Sequence, residues 1–425
     1  MTKPERDICS TNWLKEVMNN PGRKENTTTL KHRVLVLNHF AVPPTGSGGT
    51  RHFEMFAALD KFDFEILAAS HAGPGRGKRV KYPSFIFVFS SPYKRNDFFR
   101  ILNWITYSVS AGVVGLLRPR IDVVYASSPH LLAGLTGLMI ARIERIPFVL
   151  EIRDLWPKIL IEMGGFREKS LVYRALLYVE TMLYRQANTI VVMAPGSAAH
   201  IRGTGVDNEK IIYIPNGADP TCEDDLPSRA ALRESYGFHR RTAVYTGAHG
   251  PANGLDELVR AAARVGDVGI DLVLVGEGVE KKSLERLSDE LRLTNVRFLP
   301  PLPKSEIPSL LFAADIGVHV LRDVPLFRHA ISPNKVFDYL ASGLPIISNS
   351  PGIVSDIIGT AEAGWVTEPD RLEDGLHAAA SASNEELVEI GSRGKRWIQE
   401  NQSRAAMARR LENVLDRLMS PTRLG

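Results

Sequence analysis

The stretch Ser332-Pro-Asn-Lys-Val-Phe-Asp-Tyr-Leu-Ala-Ser-Gly-Leu-Pro-Ile-Ile-Ser-Asn-Ser350 says more about structure than any other part of the chain. Ser332 can cap a helix, and Pro333 suits the first helical position. The spacing carries that helix to about Ala341, and Gly343 stops it. Pro345 then opens a buried strand. A helix N-terminus of this kind, lined by Ser332, Asn334 and Lys335, offers backbone N–H groups and the positive end of the helix dipole, so it suits an anion. Lys335 adds a cation in the first turn. Asp338, one turn on, is placed to accept hydrogen bonds from sugar hydroxyls.

Working outward, this helix–strand pair belongs to a long alternation. Short apolar strands are expected at Arg33–Asn38, Phe64–Ala68, Phe85–Phe89, Val123–Ala126, Phe148–Glu151 and Thr189–Met193. Helices are expected between most of them, at 96–117, 131–144 and 170–187. Apolar strands alternating with amphipathic helices imply a parallel sheet. The alternation pauses after Ile211–Ile214 and resumes at Thr242–Thr246. Further strands follow near 272–275, 296–299, 316–320 and 345–348, with helices at 254–265, 279–292, 304–314, 333–342 and 369–382. The expected division is a polar extension over 1–30, an α/β domain over 31–217, a second α/β domain over 218–400, and a C-terminal helix over 401–425 that packs back on the first domain. Two facing sheets of this kind would form one central cleft at the carboxyl ends of their strands.

Composition narrows the class. The chain has 425 residues and a net charge of +4, too weak a charge to argue for nucleic acid. Cys9 and Cys222 make neither a disulfide framework nor a cysteine metal site, and a reducing, cytoplasmic setting fits them. The N-terminus does not read as a signal peptide. Phe98–Leu117 is the most apolar stretch, but Asn103, Thr106, Ser108 and Ser110 interrupt it, so it does not span a bilayer. Two readings of it stand: a half-buried helix, or a helix that touches an anionic membrane surface through its flanking Lys94, Arg95, Arg100, Arg118 and Arg120.

Further motifs follow the same order of elements. A glycine turn, Thr45-Gly-Ser-Gly-Gly-Thr50, follows the first strand and places Gly48, Gly49 and Arg51 for an anion. Ile214-Pro-Asn-Gly-Ala-Asp219 stands at the junction. Tyr245-Thr-Gly-Ala-His-Gly-Pro-Ala-Asn-Gly254 and Val275-Gly-Glu-Gly278 follow strands of the second half. Together with Ser332–Ser350, these resemble the motifs of glycosyltransferase family 4, the retaining enzymes of the GT-B fold. The resemblance covers nearly the whole chain after residue 30. Glu151-Ile-Arg-Asp-Leu-Trp-Pro157 further resembles a branch that includes amino-deoxysugar transferases of bacterial surface polysaccharide synthesis.

That resemblance implies two Rossmann-like domains, the first binding the acceptor and the second a nucleotide sugar. The implied reaction moves a sugar, an N-acetylated or other hexose, from a UDP-linked donor to a saccharide or lipid-linked acceptor. It implies no metal and no cofactor beyond the co-substrate. Gly247, His249, Gly250, Asn253 and Gly276 fall at the implied donor loop, and Asp338 at the ribose-binding carboxylate. The chain departs from the family where Ala330 replaces a glutamate and where Ala248 and Asn253 replace the cations that hold the diphosphate. That task passes to Lys335, the helix N–H groups, His249 or Arg328. Asp154 and Arg153, at the end of a buried strand, are candidates for orienting the acceptor hydroxyl and pairing with phosphate, with His130 beside them; the simpler alternatives are an ion pair that only caps the strand and, for His130, a helix-start or satisfied polar residue. Two competing functions remain at this stage, a nucleotide-sugar 2-epimerase and a degenerate glycan-binding subunit.

Overall fold

The structure is a computed structural model and describes residues 31–43, 49–71, 82–93, 98–158, 161 and 170–420. The chain divides into two compact units. In the first, an all-parallel seven-stranded sheet has the order β3-β2-β1-β4-β5-β6-β7. Its strands are His32–Leu37 (β1), Phe62–Ala69 (β2), Phe85–Val88 (β3), Val123–Ser128 (β4), Phe148–Ile152 (β5), Thr189–Val192 (β6) and Ile211–Tyr213 (β7). The helices are Arg51–Ala57 (α1), Phe98–Leu116 (α2), Leu131–Glu144 (α3), Leu171–Gln186 (α4) and Pro195–Gly203 (α5). β4 and β5 are buried along their whole length, which is why they read as unbroken apolar runs.

Topology fixes where the helices lie. The connections β3→β4, β4→β5 and β5→β6 all advance in one direction across the sheet. Right-handed crossovers therefore put α2, α3 and α4 on one face. Glycines let them pack closely: a Cβ on Gly115 of α2 would lie 2.6 Å from Ile140 of α3, and one on Gly137 of α3 would lie 2.6 Å from Ala126 of β4.

In the second unit the sheet order is β10-β9-β8-β11-β12-β13, again parallel. The strands are Arg241–Thr246 (β8), Ile270–Val275 (β9), Val296–Leu299 (β10), Ile316–His319 (β11), Ile346–Ser348 (β12) and Gly364–Val366 (β13). The helices are Arg229–Tyr236 (α6), Leu255–Val265 (α7), Lys281–Glu290 (α8), Ile307–Ala313 (α9), Asn334–Ala341 (α10), Ile353–Thr360 (α11), Leu372–Ser381 (α12) and Asn384–Gln402 (α13). A core built on Tyr245, Leu258, Leu272, Leu274, Val318 and Leu376 joins the sheet to α7 and α12.

The chain breaks helix at Ser403 and resumes as Arg404–Met419 (α14). Residues from 405 onward group with the first unit. There Glu412 accepts the N–H groups of Asp60 and Lys61 at 2.9 Å, and Asp416 pairs with Lys61.

Candidate active site

In the second unit, the quoted segment folds much as its residues suggest, with one correction. Helix α10 starts at Asn334, and Pro333 occupies the cap position with φ −82° and ψ 86°. Ser332 therefore lies one residue too early to act as the side-chain cap. Tyr339 pins the helix to the sheet: its hydroxyl accepts from the Thr246 N–H at 3.0 Å and donates to the Val318 carbonyl at 3.2 Å. Gly317 leaves room for that ring, since a Cβ there would come within 2.5 Å of it.

The helix start lies against the glycine loop that follows β8. Lys335 donates to Asn253 Oδ1 at 3.3 Å, and its ammonium lies 5.0 Å from the centre of the Tyr245 ring. Gly247 makes that approach possible, because a Cβ would meet Lys335 Cε at 2.6 Å. Gly276, after β9, allows a second close approach; a Cβ there would lie 1.9 Å from the Gly247 carbonyl oxygen, and its φ of +153° suits glycine. Gly250 precedes a single turn at Pro251–Asn253, and Asn253 donates back to the Ala248 carbonyl at 2.9 Å. Thus Gly247, Gly250, Asn253, Gly276 and Lys335 form one constellation, with Asn334 exposed beside it.

Electrostatics concentrate on that loop. Burial lowers the Lys335 ammonium to about 8, against the opposing pull of Asp338. His249 is fully buried, and neither ring nitrogen has a hydrogen-bond partner among the described residues. Burial lowers its pKa, as do the charges of Lys281 and Lys335, so it is neutral at pH 7 with one donor and one acceptor unspent. His319, at the end of β11 and bonded to Ser348 and Ser350, is lowered to about 3 by burial and by Lys335.

Two expected residues are engaged by partners that the sequence does not reveal. Asp338 is held by Lys304, whose ammonium is 2.9 Å from both carboxylate oxygens. A ribose hydroxyl would share that carboxylate with Lys304. Arg328 makes a two-point ion pair with Asp323 at 2.8 and 2.6 Å, which neutralises it as a diphosphate ligand in this conformation. Lys281, another cation of the region, is tied to the Gly276 and Leu299 carbonyls.

In the first unit, Glu151 at the end of β5 organises a buried network. Its carboxylate accepts from Tyr125 at 2.7 Å and Ser127 at 3.0 Å, and lies 2.9 Å from His52 and 3.4 Å from Arg51. Burial alone would raise its pKa; His52, Arg51 and Arg153 outweigh burial and hold it well below the ordinary value. Arg51 also donates to the Pro215 and Ile214 carbonyls at 2.7 and 2.9 Å. The structure thus uses Arg51 to lock the end of β7, where the sequence expected an anion ligand. Gly49 forms an isolated bridge with Ala41, and Gly48 lies outside the described residues.

Beyond Glu151 the chain turns outward. Arg153 is half-buried and Asp154 exposed. The protein packed around Asp154 nevertheless desolvates its carboxyl and raises its pKa, opposed by the charges of Arg153 and Arg100. Trp156 donates to the Pro129 carbonyl at 3.1 Å, and Trp104 stacks on His130 with rings 5.0 Å apart. Of the two readings of His130, the structure supports the helix start and not the catalyst. Its Nδ1 accepts the Ala133 N–H, its Nε2 faces His39 Nδ1 at 3.0 Å, and burial first, then His39 and Arg100, holds it well below its ordinary value. Among the described residues no group of His, Cys, Asp or Glu is placed to hold a metal ion.

Comparison with known proteins matches this division. Residues 46–217 match the model of the glycosyl transferase 4-like domain, and residues 228–414 that of glycosyl transferases group 1. The chain is 23% identical over 256 residues to the probable glycosyltransferase WbjE of Pseudomonas aeruginosa, covering 59% of this chain and 63% of that one. It is 27% identical over 146 residues to the putative colanic acid biosynthesis glycosyl transferase WcaI of Escherichia coli, covering 33% and 35%. The match thus spans less than two thirds of either relative. The fold is that of HepE from Anabaena, solved with UDP and glucose, at TM-score 0.68 and 16% identity over 91% of this chain and 100% of that one. With two successive Rossmann-like units, each matched by a glycosyltransferase family model, the chain belongs to the glycosyltransferases of the GT-B fold.

Proposed function

We propose that this chain transfers a hexose or N-acetylated hexose from a UDP-linked donor to a hydroxyl of a saccharide acceptor, free or lipid-linked. Transfer proceeds with retention, as the family resemblance implies, without a metal ion, and at the inner face of the cell membrane. The observation that carries the donor half is the Lys335–His249 pair. A cation at a helix N-terminus, and a buried imidazole with unspent nitrogens that feels its charge, belong to the second unit's glycine loop, where the family's usual diphosphate cations are absent. Negative charge grows on the leaving diphosphate during transfer, and fixed donors at that point favour the transition state. Asp154, exposed with a raised pKa and flanked by Arg153, suits acceptance of the acceptor's proton.

Two variants test the donor placement. Lys335→Ala is expected to weaken UDP binding by about 2 kcal/mol, roughly thirtyfold in Kd by calorimetry. Unchanged affinity would remove Lys335 from the donor site. Asp338→Asn is expected to weaken uridine-containing ligands several-fold and inorganic pyrophosphate hardly at all; equal losses for both would contradict the assignment of Asp338 to the ribose.

A further inference from the structure

Helix α2 is inside out. Its buried face carries Asn103, Ser108, small residues and one large ring, Tyr107, while Phe98, Ile101, Ile105, Val109 and Val113 face solvent. Two of its polar side chains are used: Asn103 donates to the His71 carbonyl at 2.8 Å, and Thr106 accepts from the Ser91 N–H at 2.9 Å. A water-facing helix normally shows the opposite arrangement. Val109 is 62% exposed and Val113 56%, so the outward stripe is open along the helix.

The stripe does not stop at α2. Its neighbours on the same sheet face continue it with Met139 and Ile143 on α3, and with Leu171, Val172 and Tyr178 on α4. Apolar exposure on three adjacent helices marks an interaction surface. The exposed charges of residues 98–120, 131–145 and 171–186 are Arg120, Arg142, Arg145, Arg174 and Arg185, against the one acid Glu144.

From this we infer that the outer face of α2, α3 and α4 docks on an anionic lipid bilayer, with the apolar stripe in the interfacial layer and the arginines among the headgroups. Charge complementarity selects that occupant. A symmetric contact with a second copy would set this arginine-rich rim against a basic rim, whereas anionic headgroups attract it. No described helix is long and apolar enough to cross a membrane, which suits a surface that lies on the bilayer. The placement also serves the reaction. Arg100 and Trp104, at the start of α2, reach the charge of Asp154 and the ring of His130, so the candidate acceptor end adjoins the docking face. The inference gives a location to the membrane placement proposed above and rests on that reading for its purpose.

Vesicle sedimentation of the full chain tests it. The protein is expected to sediment with vesicles of equimolar phosphatidylglycerol and phosphatidylcholine, and far less with phosphatidylcholine alone. Arg142→Glu with Arg174→Glu should lower the partition at least about fivefold per arginine, and added salt should do the same. Val109→Asp with Val113→Asp, at exposed positions, should lower it at least about tenfold. No sedimentation with anionic vesicles, or equal sedimentation of all variants, would overturn the inference. So would a concentration-dependent dimer in ultracentrifugation that the valine variant abolishes, since that gives the face to a second copy. UDP affinity, measured on the same proteins, is expected to stay unchanged; its loss in every protein would instead count against the proposed donor site.

Discussion

Asp154→Asn is expected to lower turnover about 100-fold or more while leaving UDP affinity unaltered. The reason lies in its surroundings. Asp154 follows a strand whose last residues are locked by the Glu151 network, so its backbone is held from a rigid base. Asp154 is exposed as a residue, yet the protein packed around its carboxyl desolvates it and raises its pKa against the pull of Arg153 and Arg100. A carboxylate whose pKa is raised is a better base. The sign of the pH effect follows. A base must be unprotonated, so kcat/KM should rise with pH through the Asp154 value and then level off. Asp154→Asn should abolish that acidic limb as well as lower the plateau. Turnover and pH profile both unaltered would return Asp154 to a structural role, an ion pair with Arg153 that ends the strand.

Glu151→Ala is expected to destabilise the first unit by about 3–5 kcal/mol. Glu151 is fully buried, and removing it strips Arg51, His52, Tyr125 and Ser127 of their shared acceptor. Uncompensated buried donors carry the cost, more than any one lost bond. Glu151→Gln keeps an acceptor for the hydroxyls and should cost less than Glu151→Ala. The pH dependence has a definite sign. Because the folded carboxyl titrates below its ordinary value of 4.5, its stabilisation is present above that value and is lost as pH falls through the lower folded pKa. Denaturant titration across that acidic range checks this. An alanine variant as stable as the parent, or a parent insensitive to acid in that window, would show that the network holds nothing.

Legibility followed sequence distance. Fully buried strands such as Val123–Ser128 and Phe148–Ile152 announce themselves through unbroken apolar runs. Strand Gly364–Val366 did not, because three residues at a sheet edge are too short to show a period. Helix Ile353–Thr360 gives no clear sequence signal either; it begins beside Gly352, whose missing side chain accommodates the Arg328 carbonyl, a contact with no local signal. The loop glycines and Lys335 were legible since their chemistry follows from neighbouring residues. Lys304 was not, as it meets Asp338 across 34 residues of chain. Arg51 misled for the same reason: glycines nearby suggest an anion, while its partner Glu151 is 100 residues away. Phe98–Leu117 allows a half-buried helix or one at a membrane surface, because apolar and polar residues alternate along it and only packing against α3 and the sheet shows which of them stay outside.

In the proposed donor site, a nucleoside diphosphate is held in the second unit by Lys335 in its charged form. Calorimetric titration of UDP into the intact chain, at pH values well below and well above the Lys335 value of about 8, tests it most directly. Binding is expected to weaken as pH rises through that value, by up to about thirtyfold in total, and the weaker binding of a Lys335→Ala variant should no longer vary there. An absence of UDP binding, or an affinity that ignores both pH and Lys335, would contradict it.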